Sequence, residues 1–118
     1  MDKKTVVIID DSKAMAAHLQ GLIESVLAQP SLRAEPPLEV ISTYSYQEGM
    51  TAALSKAEHL RALVVDQILG PVTGLQVLLQ LKLLLNGNFP QIWSQLKKII
   101  VTSGGRLSGD EERVAVLE

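Results

Sequence analysis

The sequence predicts a doubly wound α/β domain, in which helices cover both faces of a parallel sheet. Short, continuous apolar runs recur along the chain, as expected for strands that are buried on both faces. Between them lie longer segments with apolar residues at helical spacing. The chain has 118 residues, of which 47% are hydrophobic and 20% charged, so residues 1–118 are expected to form one globular domain.

Four strands and four helices are predicted, in alternation. The strands are the apolar runs Val6–Ile9, Leu38–Thr43, Arg61–Asp66 and Lys98–Thr102. The helices, marked by apolar spacing and capping residues, run from Ser12 to Gln29, from Ser45 to near Leu60, from Gly74 to Leu85, and from Ser108 onward. Pro30–Pro37 is expected to be a surface loop, and Phe89–Leu96 fits either a loop or a short helical insertion. This alternation implies right-handed crossovers and therefore a parallel sheet.

The composition excludes several classes of function. With 11 basic and 13 acidic side chains the net charge is −2, which gives no long-range attraction for nucleic acid or an anionic membrane. The absence of cysteine excludes disulfides and thiolate metal sites. No apolar run is long enough for a signal-peptide core or a membrane span. We therefore expect a cytoplasmic protein whose partner is another protein or a small ion, without contact with nucleic acid or a membrane.

Acidic and hydroxyl side chains follow three of the predicted strands. The first strand ends in Asp10 and Asp11, the third in Asp66, and the fourth in Thr102 and Ser103. Ligands bind outside the carboxyl ends of such strands, so we expect these side chains to meet at one edge. Two carboxylates about 4 Å apart repel by about 4 kcal/mol at an effective dielectric constant of 20, so the cluster needs a cation or raised pKa values. Oxygen ligands without nearby His or Cys favour Mg²⁺.

With Gly74 eight residues beyond Asp66, this arrangement resembles the receiver domain of response regulators in two-component signalling. The resemblance covers the whole chain and implies a flavodoxin-like sheet with strand order 2-1-3-4. It implies that Asp66 accepts a phosphoryl group from a histidine kinase or phosphotransfer protein, with Mg²⁺ as cofactor, so the domain catalyses its own loading rather than acting as a conventional enzyme. The implied metal ligands are Asp10, Asp11, Asp66 and the backbone carbonyl of Ile68. Thr102 is the implied switch hydroxyl.

The chain departs from the family pattern in two places. Family members usually carry proline four residues after the phosphoacceptor, where this chain has Gly70 followed by Pro71. The family also continues into a fifth strand, which ends in a lysine, and a fifth helix, whereas this sequence stops at Glu118. Either the sequence is truncated, which we favour, or the natural protein lacks this part. Lys97 and Lys98 lie at the wrong end of the fourth strand to replace that lysine. Without a fifth strand the fourth strand is an edge, which we expect to be covered by a second copy, by exchange of the carboxyl-terminal segment between chains, or by Val114–Leu117 folding back as a strand. Of these, we favour a homodimer.

Two other functions fit parts of the sequence. A pseudo-receiver would keep the acidic site but act as a docking or dimerisation module without phosphoryl switching. A metal-dependent phosphatase or nucleotide-binding domain is disfavoured, because the sequence has no P-loop and no GxGxxG motif. Taken alone, Asp10 is equally compatible with a helix cap. His18 is expected to be a solvated side chain without a role, and the stretch Leu75–Leu85 to be mostly core, with a residue or two exposed to a partner.

Overall fold

The structure, a computed structural model, describes residues 4–27 and 38–101. Within these ranges the elements are β1 (Lys4–Ile9), α1 (Lys13–Leu27), β2 (Leu38–Thr43), α2 (Tyr46–Ser55), β3 (Leu60–Asp66), β4 (Ile68–Leu69), β5 (Val72–Thr73), α3 (Gly74–Asn88), α4 (Pro90–Gln95) and β6 (Lys97–Val101). A 3-10 turn, Ala57–His59, connects α2 to β3. Several predictions lie outside the described residues: the loop Pro30–Pro37, the side chains of Thr102 and Ser103, and the helix from Ser108.

Four of the strands form a parallel sheet in the order β2-β1-β3-β6. Because β6 is the fourth predicted strand, the predicted flavodoxin-like order 2-1-3-4 is confirmed. Residues 7–9 of β1 have no exposed surface, as their continuous apolar sequence requires. Ile9 of β1 pairs with Val65 of β3, and Asp66 pairs with Val101 of β6. The carboxyl ends of the strands therefore lie along one edge of the sheet.

Helices cover both faces of the sheet, which confirms the doubly wound architecture. On one face, Ile9, Leu63 and Val65 belong to the larger core, which also contains side chains of α2, α3 and α4. On the other face, Ile8 and Val64 pack with side chains of α1 in a smaller core. Successive residues of a strand point to opposite faces, so a strand that is apolar at every position supplies both cores.

Two helix boundaries differ from the prediction. α2 ends at Ser55 instead of near Leu60, because the 3-10 turn follows it and Leu60 begins β3 as a buried residue. α3 continues through the predicted stop at residues 86–88. The side-chain amide of Asn88 donates to the carbonyl of Leu84 (3.2 Å), so the asparagine caps the last turn instead of ending the helix earlier.

The span before β6 contains the short helix α4. It begins at Pro90, whose fixed φ suits the first helical position, and it places Trp93 in the larger core. Of the two alternatives for residues 89–96, the helical insertion is therefore correct for Pro90–Gln95. None of the helices in residues 4–27 and 38–101 is long and apolar enough to cross a membrane.

The connection from β3 to α3 is an antiparallel ribbon of β4 and β5. Leu69 pairs with Val72, so Gly70 and Pro71 are the two central residues of its turn. Gly70 has a φ of 75°, and proline holds the next φ negative, which matches a type II′ turn. The Gly70-Pro71 order, which departs from the family pattern, is thus compatible with this tight turn.

α2 approaches β1 closely at Gly49. A Cβ atom at this position would lie 2.8 Å from Cγ2 of Ile9 and would also overlap the rest of that side chain. Ile9 is fully buried, so it has no solvent-filled space into which to move. Glycine is therefore needed here for packing.

Gly49→Ala is expected to lower the free energy of unfolding by about 1–3 kcal/mol, because the core must shift to hold the added methyl group. Gly21→Ala is the matched control, since a Cβ atom at this exposed α1 position meets nothing within 4 Å. The control is expected to raise the free energy of unfolding by about 0.5–1 kcal/mol through helix propensity. Urea denaturation of both variants measures these effects. Equal shifts would contradict the close contact of α2 with β1.

Candidate functional site

Asp10 lies immediately after β1 and is almost completely buried. Its N–H donates to the carbonyl of Thr43 at the end of β2 (3.0 Å), so the backbone of β2 fixes its position. Its Oδ1 accepts from the N–H of Ser12 (2.9 Å). Its Oδ2 is buried and has no hydrogen-bond partner, and only 1% of the residue is exposed.

The cap of α1 is supplied by Ser12. Its Oγ accepts from the N–H of Met15 (3.2 Å), and its carbonyl accepts from the N–H of Ala16 (2.9 Å). Asp10 supports this turn only through the N–H of Ser12. Helix capping alone therefore does not account for the burial of the second carboxylate oxygen of Asp10.

Asp66 ends β3 at the same edge of the sheet. It is 5% exposed, and its Oδ1 accepts a long hydrogen bond from the N–H of Ile68 (3.4 Å). Ile68 lies in β4, with a side chain that is 66% exposed. Ile68 lies two residues after Asp66 in the sequence, and the resemblance implies that its backbone carbonyl is a metal ligand. α3 starts directly against Asp66, because a Cβ atom at Gly74 would collide with the backbone carbonyl of Asp66.

Carboxylate oxygens of Asp10, Asp11 and Asp66 lie within 4.8 Å of one another. At that separation two ionised carboxylates repel by about 3.5 kcal/mol at an effective dielectric constant of 20. Asp11 is exposed, whereas the other two are buried. The structure therefore brings together the three acids that the sequence places at the strand ends.

Burial raises the pKa values of both buried acids. For Asp10, desolvation is the largest cause of the raised pKa; the hydrogen bond from the N–H of Ser12 partly lowers it, the charge of Asp11 raises it, and the adjacent Asp66 carboxyl group lowers it. For Asp66, desolvation again comes first, followed by the charge of Asp10, and the N–H of Ile68 lowers the pKa in part. The groups that influence these two pKa values are other acids and backbone N–H groups. No lysine, arginine or histidine is among these groups to balance the negative charge of the carboxylates.

This cluster fits a hard divalent cation. The unpartnered Oδ2 of Asp10 is a buried acceptor that lacks a donor, and a metal ion would satisfy it. An all-oxygen ligand set is typical of Mg²⁺ and Ca²⁺, and Mg²⁺ commonly takes only one or two carboxylates together with a phosphate oxygen. Asp10, Asp11 and Asp66 could therefore hold Mg²⁺ with positions left for a further ligand.

Three further residues were considered in the sequence: Lys98 and His18 have the positions that were predicted for them, and Thr102 lies outside the described residues. Val101, which precedes Thr102, pairs with Asp66, so β6 runs toward the acidic edge. Lys98 is at the opposite end of β6, as expected, where its Nζ lies over the ring of Trp93 and donates to its carbonyl. His18 is exposed, which matches the prediction of a solvated side chain.

The sequence interpretation missed two structural features of the site. Gln67 forms hydrogen bonds with the end of β6 and with the start of α3. No sequence pattern predicts these bonds, because they join parts of the chain that are distant in sequence. Thr73 and Gln76 form a reciprocal capping box at the start of α3. The Thr-x-x-Gln spacing could have predicted this box and the helix boundary with it.

The raised pKa values predict how stability depends on pH. The folded protein holds protons on Asp10 and Asp66 above the ordinary pKa of 3.8, so these acids favour folding at low pH. That contribution is lost as the pH rises through their folded-state pKa values. Asp66→Asn should therefore raise the melting temperature at pH 7 without metal, by about 4–8 °C for each kcal/mol of relieved repulsion, and the gain should shrink toward pH 4.

Thermal melts with and without Mg²⁺ complete this test. Mg²⁺ should stabilise the parent by binding the folded state and should have little effect on Asp66→Asn, Asp10→Ala or Asp11→Ala. Glu58→Gln, which neutralises an exposed acid outside the cluster, is the control and should respond to Mg²⁺ like the parent. An identical melting temperature of the parent in both conditions would count against a metal site.

Solved structures of response regulator receiver domains share this architecture. The chemotaxis protein CheY4 of Vibrio cholerae matches over 98% of this chain and 81% of its own, with 14% identity and a TM-score of 0.68. A CheY-like receiver domain protein from Methanospirillum hungatei matches over 98% and 74%, with 21% identity and a TM-score of 0.63.

A co-crystal structure from Saccharomyces cerevisiae is also similar. It contains the histidine phosphotransfer signaling protein Ypd1 and the receiver domain of its downstream response regulator Ssk1, and the match covers 98% of this chain and 75% of that one, with 18% identity and a TM-score of 0.55. No protein-family model and no curated protein matches the sequence. From its strand order and these similarities, the chain has the CheY-like fold of response regulator receiver domains.

Proposed function

We propose that the chain is a phosphoacceptor receiver domain of a two-component signalling system. In this proposal Asp66 takes a phosphoryl group from a phosphohistidine, with Mg²⁺ as cofactor. The observation that carries it is the unpartnered, buried Oδ2 of Asp10 within a cluster of three carboxylates. A buried acid with a purely structural role is usually hydrogen-bonded through both oxygens, whereas this oxygen lacks a partner and lies near two further carboxylates, which supports a role as a metal ligand.

The residues have distinct roles in the proposed reaction. A carboxylate oxygen of Asp66 attacks the phosphorus atom, the bond from phosphorus to the histidine nitrogen breaks, and the imidazole leaves with that electron pair. Asp10, Asp11, Asp66 and the carbonyl of Ile68 would hold Mg²⁺, which neutralises charge on the transferred group. The N–H of Ile68 orients Oδ1 of Asp66, and the burial of Asp66 limits access of water to the acyl phosphate.

Thr102 is proposed as the hydroxyl that responds to the phosphoryl group. It follows Val101, which pairs with Asp66 in the sheet, so the chain leaves β6 beside the phosphoacceptor. A hydroxyl donor at this position could move toward the new phosphoryl oxygens and transmit the change of charge. Its proposed role depends on that of Asp66.

The proposed donor is a histidine kinase or a phosphotransfer protein. The similar co-crystal structure contains a histidine phosphotransfer protein together with a receiver domain, which supports a donor of this kind. The pseudo-receiver remains the second candidate, because Leu79, Leu83 and Leu84 on α3 are exposed and could serve docking alone. Phosphorylation separates the two functions.

Incubation with Mg²⁺ and acetyl phosphate should place an acyl phosphate on the parent protein, which hydroxylamine removes. Asp66→Asn should abolish the label while leaving the fold intact, because the substitution keeps the side-chain shape. Glu58→Gln should be labelled like the parent. Mass spectrometry of the intact proteins gives the result. Label retained on Asp66→Asn would reject the assignment, and a folded parent that binds Mg²⁺ without labelling would favour the pseudo-receiver.

A homodimer is proposed as a second kind of assembly. Among the described residues β6 is one of the two edge strands of the sheet, and Ile99 on it is 49% exposed. An apolar edge strand favours pairing with another chain.

Sedimentation at several concentrations should show reversible association of the parent. Ile99→Lys should abolish that association, because charge on an edge strand opposes strand pairing. Leu83→Lys, on the exposed face of α3, is the control and should leave the dimer intact. A compact monomer at every concentration would contradict the proposed dimer.

A further inference from the structure

Gln67, the residue after Asp66, connects three elements of the fold. Its N–H donates to the carbonyl of Val101 at the end of β6 (2.9 Å), and its carbonyl accepts from the N–H of Gly74 (2.9 Å). Its side-chain Oε1 accepts from the N–H of Leu75 (3.2 Å). One half-buried residue therefore joins the end of β3 to the end of β6 and to the first turn of α3.

The first turn of α3 depends on Gln67 for half of its capping. The first four N–H groups of a helix lack a partner within the helix. Here the N–H groups of Thr73 and Gln76 are bonded within the capping box. Those of Gly74 and Leu75 are bonded by Gln67. All four donors are accounted for, two of them by the residue next to Asp66.

The start of α3 is also in steric contact with Asp66. A Cβ atom at Gly74 would collide with the backbone carbonyl of Asp66, so glycine is what allows the helix to start this close to β3. The hydrogen bond from Leu75 to the Gln67 side chain keeps it from moving away. This hydrogen bond is made by the side chain of Gln67, so a substitution can remove it, whereas backbone atoms make the bonds to Val101 and Gly74.

We propose that Gln67 is a positioning residue for phosphoryl acceptance. Its side-chain amide holds the start of α3 against the end of β3 and thereby keeps the Asp66 carboxylate aligned with Asp10 and Asp11. This inference rests on the proposed function, in which Asp66 is the nucleophile. Misplacement of a reacting group by about 1 Å can slow a reaction about 100-fold, so a small shift at this junction would reach the chemistry. Gln67 acts through Asp66 and does not touch the transferred group.

Gln67→Met and Gln76→Met provide a matched pair of variants. Each glutamine uses its Oε1 to accept one N–H at the start of α3, so each variant loses one capping hydrogen bond of the same kind. Only Gln67 is adjacent to Asp66. If Gln67 served merely to cap the helix, the two variants would behave alike in stability and in labelling.

The experiment measures the initial rate of Asp66 labelling against acetyl phosphate concentration, at saturating Mg²⁺ and well below both melting temperatures. Gln67→Met should lower the maximal rate about tenfold, with little change in the donor concentration that gives half of that rate. Gln76→Met should stay within about twofold of the parent. If Gln67→Met does not fold, Gln67→Asn replaces it, since its amide is one carbon shorter and cannot reach Leu75 from the same backbone position.

The outcomes separate this inference from the proposed function. Equal maximal rates for the Gln67 and Gln76 variants, in a parent that is labelled, would overturn the positioning role alone. A decrease that appears only in the half-saturating donor concentration would also overturn it, because alignment of the nucleophile acts on the maximal rate. A parent without any label would overturn both.

Discussion

The carboxylates of Asp10, Asp11 and Asp66 repel one another, and the fold must overcome this repulsion to form this edge of the sheet. The parallel register leaves no alternative, because it brings the ends of β1 and β3 to one place. The energy that opposes the repulsion comes from the apolar residues of the same strands. Burial of one valine, leucine or isoleucine side chain contributes about 1.5–3 kcal/mol, so a few such residues outweigh a pair repulsion of about 3.5 kcal/mol. The buried apolar residues of the sheet therefore compensate for the repulsion among the carboxylates at its edge.

Backbone N–H groups then decide which carboxylate oxygens remain for a ligand. On Asp10 the N–H of Ser12 occupies Oδ1 and leaves Oδ2 without a partner. On Asp66 the bond from Ile68 to Oδ1 is long, at 3.4 Å, and holds that oxygen only weakly. The backbone that follows each strand thus orients the acids, while the site keeps carboxylate oxygens that can accept a further ligand. A cation that prefers oxygen ligands would fill this capacity, and its positive charge would offset the repulsion that adds to the effect of burial on the two pKa values.

Much of this architecture could be predicted from the sequence, because strands buried on both faces are marked by continuous apolar runs such as residues 6–9. The strand-end position of Asp10, Asp11 and Asp66 followed from the same reasoning. The contacts of Gln67 could not be predicted, since they depend on where β6 and α3 lie in space. The end of α3 was also misjudged, because Asn88 bonds the last turn, which residue type alone does not reveal.

The junction between β3 and α3 links the acids to a helix that exposes three leucines. α3 has 15 residues and one charge, at Lys82, and it exposes leucines at positions 79, 83 and 84. At 1.5 Å per residue the helix is about 22 Å long, so a small tilt at its first turn displaces its far end by more than its start. Steric contact at Gly74 and the bonds of Gln67 set that tilt directly beside Asp66. The start of the helix that carries these leucines is therefore fixed directly beside Asp66.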